Sequence, residues 1–220
     1  MIKIKNISKT FFVFDLDDTI YMEYDYKKSG IKYILKVLKN LGFSYKFNLM
    51  YLMSLDNPFQ HIIEKLSLPR YNVNNLIWQY RLHKPDIKLN EKTKKLIKYL
   101  YYKSAGIAIL TDGRSFSQRQ KLISLGLIKY PFYISEEYND KKPQLKRLKL
   151  IMKTFNAENY VYVGDNINKD FFGPNKLKWL TIGLKKTILN IHKAKYNLSK
   201  NFYPKKNIDK ITDLKKLILK

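Results

Sequence analysis

Three of the chain's 18 acidic residues fall within four positions, Asp15-Leu-Asp17-Asp18, directly after the apolar run Phe11-Phe-Val-Phe14. Carboxylates crowded in this way repel one another unless a cation or a shifted pKa relieves them. Asp165 and Asp170 follow another apolar run, Tyr160-Val-Tyr-Val163. If the two runs are neighbouring strands, these carboxylates converge, and the occupant that suits them is a hard, oxygen-seeking ion, Mg²⁺ foremost. A third apolar run, Gly106-Ile-Ala-Ile-Leu110, leads into Thr111-Asp112-Gly113-Arg114. A hydroxyl and backbone N–H groups at the start of a helix make a phosphate cradle. Lys142, in Asp140-Lys-Lys-Pro143, offers positive charge to such a phosphate, although one lysine among 38 carries no weight alone. The plainer role open to Asp18 and Asp170 is helix capping.

The elements that must position these residues are legible from periodicity. Near-continuous apolar runs read as strands buried on both faces, as in a parallel sheet. Helical stripes surround them: Leu96, Ile97, Leu100 and Tyr101, then Leu145, Leu148, Ile151 and Met152. Ser115 through Leu125, stopped by Gly126, reads as a further helix. Alternating strands and helices predict an α/β fold, a doubly wound, Rossmann-like parallel sheet. Residues 21–85 differ, with no convincing strand. Ile31, Ile34, Leu35 and Leu38 share helical spacing, as do Val73, Leu76, Ile77 and Tyr80, while Pro58 and Pro69 sit where helices restart. The reading is an all-helical insertion over 21–85, with the core formed by 1–20 and 86–220. Trp78 and the tyrosines of the insertion are expected to pack its bundle, with Tyr21 and Tyr24 beside the acidic cluster. The tail is lysine-rich from about Asn190 and predicts a short helix around Leu214 to Leu219.

Composition narrows the function classes. With 45% hydrophobic and 28% charged residues the chain has the profile of a globular protein rather than a disordered one. Its apolar runs are too short to span a bilayer. No secretory signal is evident, since the apolar stretch after Lys9 stops at Asp15. The absence of cysteine excludes disulfides, zinc–thiolate sites and cysteine nucleophiles. A cytoplasmic location is expected. The net charge of +25 invites a nucleic-acid reading, yet only five of the 43 basic residues are arginine, the residue suited to bidentate phosphate and guanine contacts. The lysines therefore read as compositional bias, and a nucleic-acid partner is not expected. If a basic patch exists, it is in the last forty residues, with eleven Lys against two Asp. His61, His83 and His192 lack ligand spacing, and Arg114 and Arg119 read as a solvated helix face.

The order of the pieces is more specific than any one of them. Strand then Asp15-Leu-Asp17-Asp18-Thr19, strand then Thr111-Asp112-Gly113, Lys142-Pro143, and strand then Gly164-Asp165-Asn-Ile-Asn-Lys-Asp170 resembles the four-motif signature of the haloacid dehalogenase superfamily, over about residues 10 to 185. The resemblance implies a phosphatase with Asp15 as nucleophile, forming an aspartyl-phosphate, and Asp17 as general acid and base. It implies that Thr111 and Lys142 hold the phosphoryl oxygens, with Asp112 adding negative charge near them. Mg²⁺ would be held by Asp15, the backbone carbonyl of Asp17, and Asp165, with Asp170 close by. The family's dehalogenases lack an acid at the position of Asp17, so its presence points to phosphoryl transfer. An insertion between the first and second motifs matches the subclass with a helical cap, which closes over a small phosphorylated metabolite. A sugar phosphate or nucleoside monophosphate is the expected substrate. A phosphomutase is the alternative within the family, and a basic nucleic-acid-binding scaffold the alternative outside it. The sequence leaves the oligomeric state open.

Overall fold

A computed structural model of the chain describes residues 3–68, 72–185, 187 and 198–218. The chain enters β1 (Thr10–Phe14), then makes α1 (Glu23–Asn40), α2 (Leu49–Ser54), α3 (Pro58–Lys65) and α4 (Val73–Leu82) before α5 (Glu91–Lys103) and β2 (Gly106–Thr111). It continues through α6 (Ser115–Ser124), β3 (Phe132–Ile134), α7 (Ser135–Tyr138), α8 (Lys146–Phe155) and β4 (Asn159–Gly164). It ends with α9 (Phe172–Lys176), β5 (Leu180–Leu184), β6 (Lys206–Ile208) and α10 (Leu214–Leu217). The strands form one parallel sheet in the order β3-β2-β1-β4-β5-β6. This is the doubly wound order in which ligands sit outside the carboxyl ends of the strands, where the winding direction reverses.

Alternation along each strand divides the core in two. Phe12 and Phe14 of β1 face the layer of α5 and α6 with Ile107, Ile109, Leu96, Leu100 and Leu122. Phe11 and Val13 face the opposite layer with Ala108, Leu110, Tyr162, Leu148 and Ile151. Every residue of β1 is buried, which is why its sequence shows no polar alternation. Each such side chain contributes about 1.5–3 kcal/mol by leaving water. α6 stops as its sequence predicts. Gly126 takes φ +68°, and Gly126 and Leu127 donate their N–H groups to the carbonyls of Ile123 (3.0 Å) and Leu122 (2.8 Å).

Between β1 and α5 the described residues contain helices and no strand of the sheet. α1 to α4 gather around a core of their own, with Ile31, Ile34, Leu38, Leu52, Ile62 and Leu76 at its centre. Pro58 is the first residue of α3, where its missing N–H costs nothing. Trp78 departs from expectation: it is 55% exposed, with Arg81 over its ring. Leu76 and Tyr80 take the inward positions of α4. Tyr33 of α1, Tyr51 of α2 and Tyr45 in the loop between them also point outward. β3 and β6 carry no pattern that predicts them, being three residues each. Pro69, His192 and residues 190–197 and 219–220 of the lysine-rich tail lie outside the described residues. No helix among the described residues is long and apolar enough to cross a membrane.

Candidate active site

The carboxyl ends of β1, β2 and β4 bring the predicted residues to one edge of the sheet. β1 lies between β2 and β4, with Phe14 opposite Ile109 on one side and Val163 on the other. Asp15, Thr111 and Asp165 therefore leave the sheet together. Asp15 donates its own N–H to the carbonyl of Val163 at 2.9 Å, which extends the β1–β4 ladder into the site.

Asp15, Asp165 and Asp170 are buried, and each presents a carboxylate oxygen within 4.8 Å of the others. Lys142 reaches between two of them, its Nζ 2.5 Å from Asp15 Oδ1 and 2.7 Å from Asp170 Oδ1. The hydroxyl of Tyr162 is 3.2 Å from both the ammonium and Asp170 Oδ1. The other oxygen of Asp170 accepts the N–H groups of Asp165 (3.2 Å) and Asn166 (2.8 Å), so Asp170 also holds the turn that carries Asp165. Gly164 makes this possible, since a Cβ there would lie 2.6 Å from Asp170 Oδ2.

Burial raises the pKa of Asp15 to about 7 against the pull of Lys142, with the charge of Asp170 adding to the rise. Burial acts on Asp170 as well, but Lys142 and its backbone donors outweigh it and hold its pKa below the ordinary carboxylate value. Three buried, oxygen-only donors at this spacing fit a small hard divalent cation such as Mg²⁺. A cation there would also reverse the penalty that burial places on Asp15.

Asp17 faces a different set of groups. Its Oδ1 accepts from Lys121 Nζ at 2.7 Å and from the Tyr21 hydroxyl at 2.5 Å, and its Oδ2 accepts from Gln118 Nε2 at 3.0 Å. Burial would raise its pKa, but these donors win and hold it below the ordinary value. Its carboxylate is not among the three that cluster. Asp18, at φ +55°, accepts the N–H of Glu23 at 2.8 Å and so caps α1, the plainer of its two possible roles.

The carboxylate of Asp112 pairs with Arg147 Nη2 at 2.6 Å and accepts the N–H of Lys142 at 3.2 Å. Arg147, 1% exposed, also pairs with Asp140 at 2.9 Å and donates to the carbonyls of Thr111 (2.8 Å) and Tyr133 (3.2 Å). Sequence reasoning missed Arg147, Lys121 and Gln118. The only signal for Arg147 was its rarity as one of five arginines. Arg114 and Arg119 pair with Glu136 and Glu137 on the surface. His83 is buried but remote in role: its Nδ1 bonds the carbonyl of Tyr80, and its Nε2 lies 3.1 Å from Ser29 Oγ.

Comparison with known proteins agrees with this geometry. The family described as haloacid dehalogenase-like hydrolase matches residues 12–182. Glyceraldehyde 3-phosphate phosphatase of Methanocaldococcus jannaschii is 26% identical over 194 residues, covering 79% of this chain and 84% of that protein. Among solved structures, the HAD-hydrolase YfnB from Bacillus subtilis, bound to magnesium, superposes with a TM-score of 0.68 at 18% identity, over 94% of this chain and 97% of that one. A HAD phosphatase from Thermococcus onnurineus superposes at 0.55 with 19% identity, over 94% and 96%.

Proposed function

The chain belongs to the haloacid dehalogenase-like hydrolases, and from that premise we propose that it is a Mg²⁺-dependent phosphatase working through an aspartyl-phosphate on Asp15. The observation that carries the reading is the convergence of Asp15, Asp165 and Asp170 on one buried point, with Lys142 reaching into it. Asp15, Asp165, Asp170 and the backbone carbonyl of Asp17 are the groups that would hold the cation. The bound ion supplies charge neutralisation, letting an anionic phosphate approach a carboxylate.

Asp15 Oδ attacks phosphorus in line and the bond from phosphorus to the substrate oxygen breaks; Asp17, ionised before substrate arrives, takes up a proton as the anionic phosphate binds beside it and gives that proton to the departing oxygen. Water then attacks the same phosphorus, Asp17 takes its proton, and inorganic phosphate leaves with Asp15 restored. Thr111 and Lys142 steady the phosphoryl oxygens as charge develops on them. Asp112 and Arg147 act on this step indirectly, through the backbone of Thr111 and Lys142.

Residues 21–85 serve in this reading as a cap over the site, with 1–20 and 86–220 as the catalytic core. A cavity of about 550 Å³ between α1, α3 and α4 has a largely apolar wall, with Ile31, Phe59, Ile77 and Tyr80, and a few polar groups, Asn57 and Arg81 among them. The substrate class is a small phosphomonoester, a sugar phosphate ahead of a nucleoside monophosphate, and the archaeal relative is named for a phosphorylated triose. Such a cap would obstruct a polymer, which argues against nucleic acid as substrate.

The test is phosphate release from a panel that includes glyceraldehyde 3-phosphate, other sugar phosphates, nucleotides and an aryl phosphate, with Mg²⁺ and with chelator. Chelator-sensitive release that Asp15→Asn abolishes is the expected result. Wild-type turnover in Asp15→Asn would overturn the mechanism, and isomerised product in place of free phosphate would favour a mutase.

A further inference from the structure

α6 presents two polar side chains, Gln118 and Lys121, that are nearly as buried as the core, at 4% and 3% exposure. They stand one turn apart on one face of the helix, and both end on the same carboxylate, that of Asp17. We infer that Gln118 and Lys121 are positioning residues that aim Asp17 at the leaving-group oxygen. The inference rests on the reading of Asp17 as the proton donor.

The geometry is over-determined. One oxygen of Asp17 is fixed by Lys121 and Tyr21, the other by Gln118, so the carboxylate can neither swing nor rotate without losing a partner. Gln118 Nε2 also donates to the carbonyl of Asp112 at 3.2 Å, which sets the amide's own orientation. Gly113 leaves room for it: a Cβ there would meet Gln118 Nε2 at 2.6 Å. The Lys121 ammonium lies 4.2 Å from the centre of the Tyr26 ring, on α1 of the helical insertion. Ser117, on the same helix, donates to the carbonyl of Arg81 at 3.1 Å. α6 is thus where the core touches both the proton donor and the helices above it. A buried lysine paired with a carboxylate is a poor way to gain stability, because an apolar side chain would pack there at less desolvation cost. Its presence makes sense where the direction of the carboxylate matters.

Leaving-group dependence separates this role from a structural one. A sugar phosphate expels a basic alkoxide that needs a proton, whereas para-nitrophenyl phosphate expels a stable phenolate that does not. kcat/KM reports steps only through departure of that group. For Asp17→Asn, Lys121→Met and Gln118→Leu, kcat/KM is expected to fall on glyceraldehyde 3-phosphate, or on the best alkyl phosphate of the panel, by about 10- to 100-fold, within the range of general-acid effects. On para-nitrophenyl phosphate the expected fall is under about fivefold, and Lys121→Arg should recover part of the alkyl activity. Equal losses on both substrates in Lys121→Met and Gln118→Leu, with the differential present in Asp17→Asn, would overturn the inference alone. No differential in Asp17→Asn would overturn the proton-donor reading beneath it. Should Lys121→Met fail to fold, Gln118→Leu decides the question.

Discussion

Arg147, buried, and Asp112, half-buried, form an ion pair, Nη2 to Oδ1 at 2.6 Å, that braces the backbone on both sides of the candidate phosphate site. The guanidinium holds the carbonyl of Thr111, and the carboxylate holds the N–H of Lys142. Asp112→Asn leaves Arg147 with Asp140 as its remaining carboxylate. A weakened bond to a buried charged group costs about 1–3 kcal/mol. The urea midpoint should fall accordingly, and turnover should fall with it, since Thr111 and Lys142 lose a shared support. An unchanged midpoint and unchanged turnover would remove the brace from the account.

Mg²⁺ should stabilise the fold as well as support turnover. The carboxylates of Asp15, Asp165 and Asp170 are assembled only in the folded chain. A cation at a hundred times its Kd then adds about 2.7 kcal/mol. Thermal melts with Mg²⁺ and with chelator should differ in the wild type and differ much less in Asp165→Asn. Equal Mg²⁺ shifts in both proteins would place the ion elsewhere.

Gly164 is the residue through which Asp170 approaches the backbone. In Gly164→Ala the new methyl would sit 2.6 Å from Asp170 Oδ2 and 2.9 Å from its carboxyl carbon. Asp170 must shift, and with it the turn bearing Asp165 and the partner of Lys142. The expected phenotype is weaker Mg²⁺ activation with the fold retained, read from the Mg²⁺ concentration that gives half-maximal turnover.

His83 ties α1 to the segment that returns to the core. Ser29 Oγ lies 3.1 Å from its Nε2 and also accepts the N–H of Asp86 at 2.7 Å. Burial holds its pKa below the ordinary 6.5, so the unfolded chain takes up the proton more readily than the folded one. This contribution to stability is complete above pH 6.5 and is lost as pH falls through that value toward the folded pKa. The wild type should therefore lose more stability between pH 7.5 and pH 5, on the order of the window over which histidine titrates, than His83→Gln does. Parallel losses in the two proteins would refute the linkage.

Neighbouring residues of α4 should behave oppositely. Leu76 is buried in the core of the insertion at 1% exposure, and its replacement by Ala should cost about 2–5 kcal/mol. Trp78 is exposed, and Trp78→Ala should stay within about 0.5 kcal/mol of wild type by denaturant unfolding.

The frame, and the residues that gather at the carboxyl ends of its strands, are legible in the chain itself. Runs such as Phe11 to Phe14 are apolar throughout because both faces of the sheet are covered. The acids behind them stand out because a chain of 43 basic and 18 acidic residues seldom gathers three carboxylates in four positions. Gly126 stopped α6 where its left-handed backbone was needed. How those residues are held depends on partners that folding supplies. Asp112 is tied to Arg147, 35 positions away, and Asp17 to Lys121, 104 positions away, and no local spacing encodes either pair. Trp78 could not be placed by pattern, because helical periodicity defines a stripe without saying how wide a face its neighbours will cover. β3 and β6 are strands only because β2 and β5 offer them unpaired edges. Buried ion pairs and edge strands exist through partners that folding brings together, and local pattern is silent about partners that are distant in the chain.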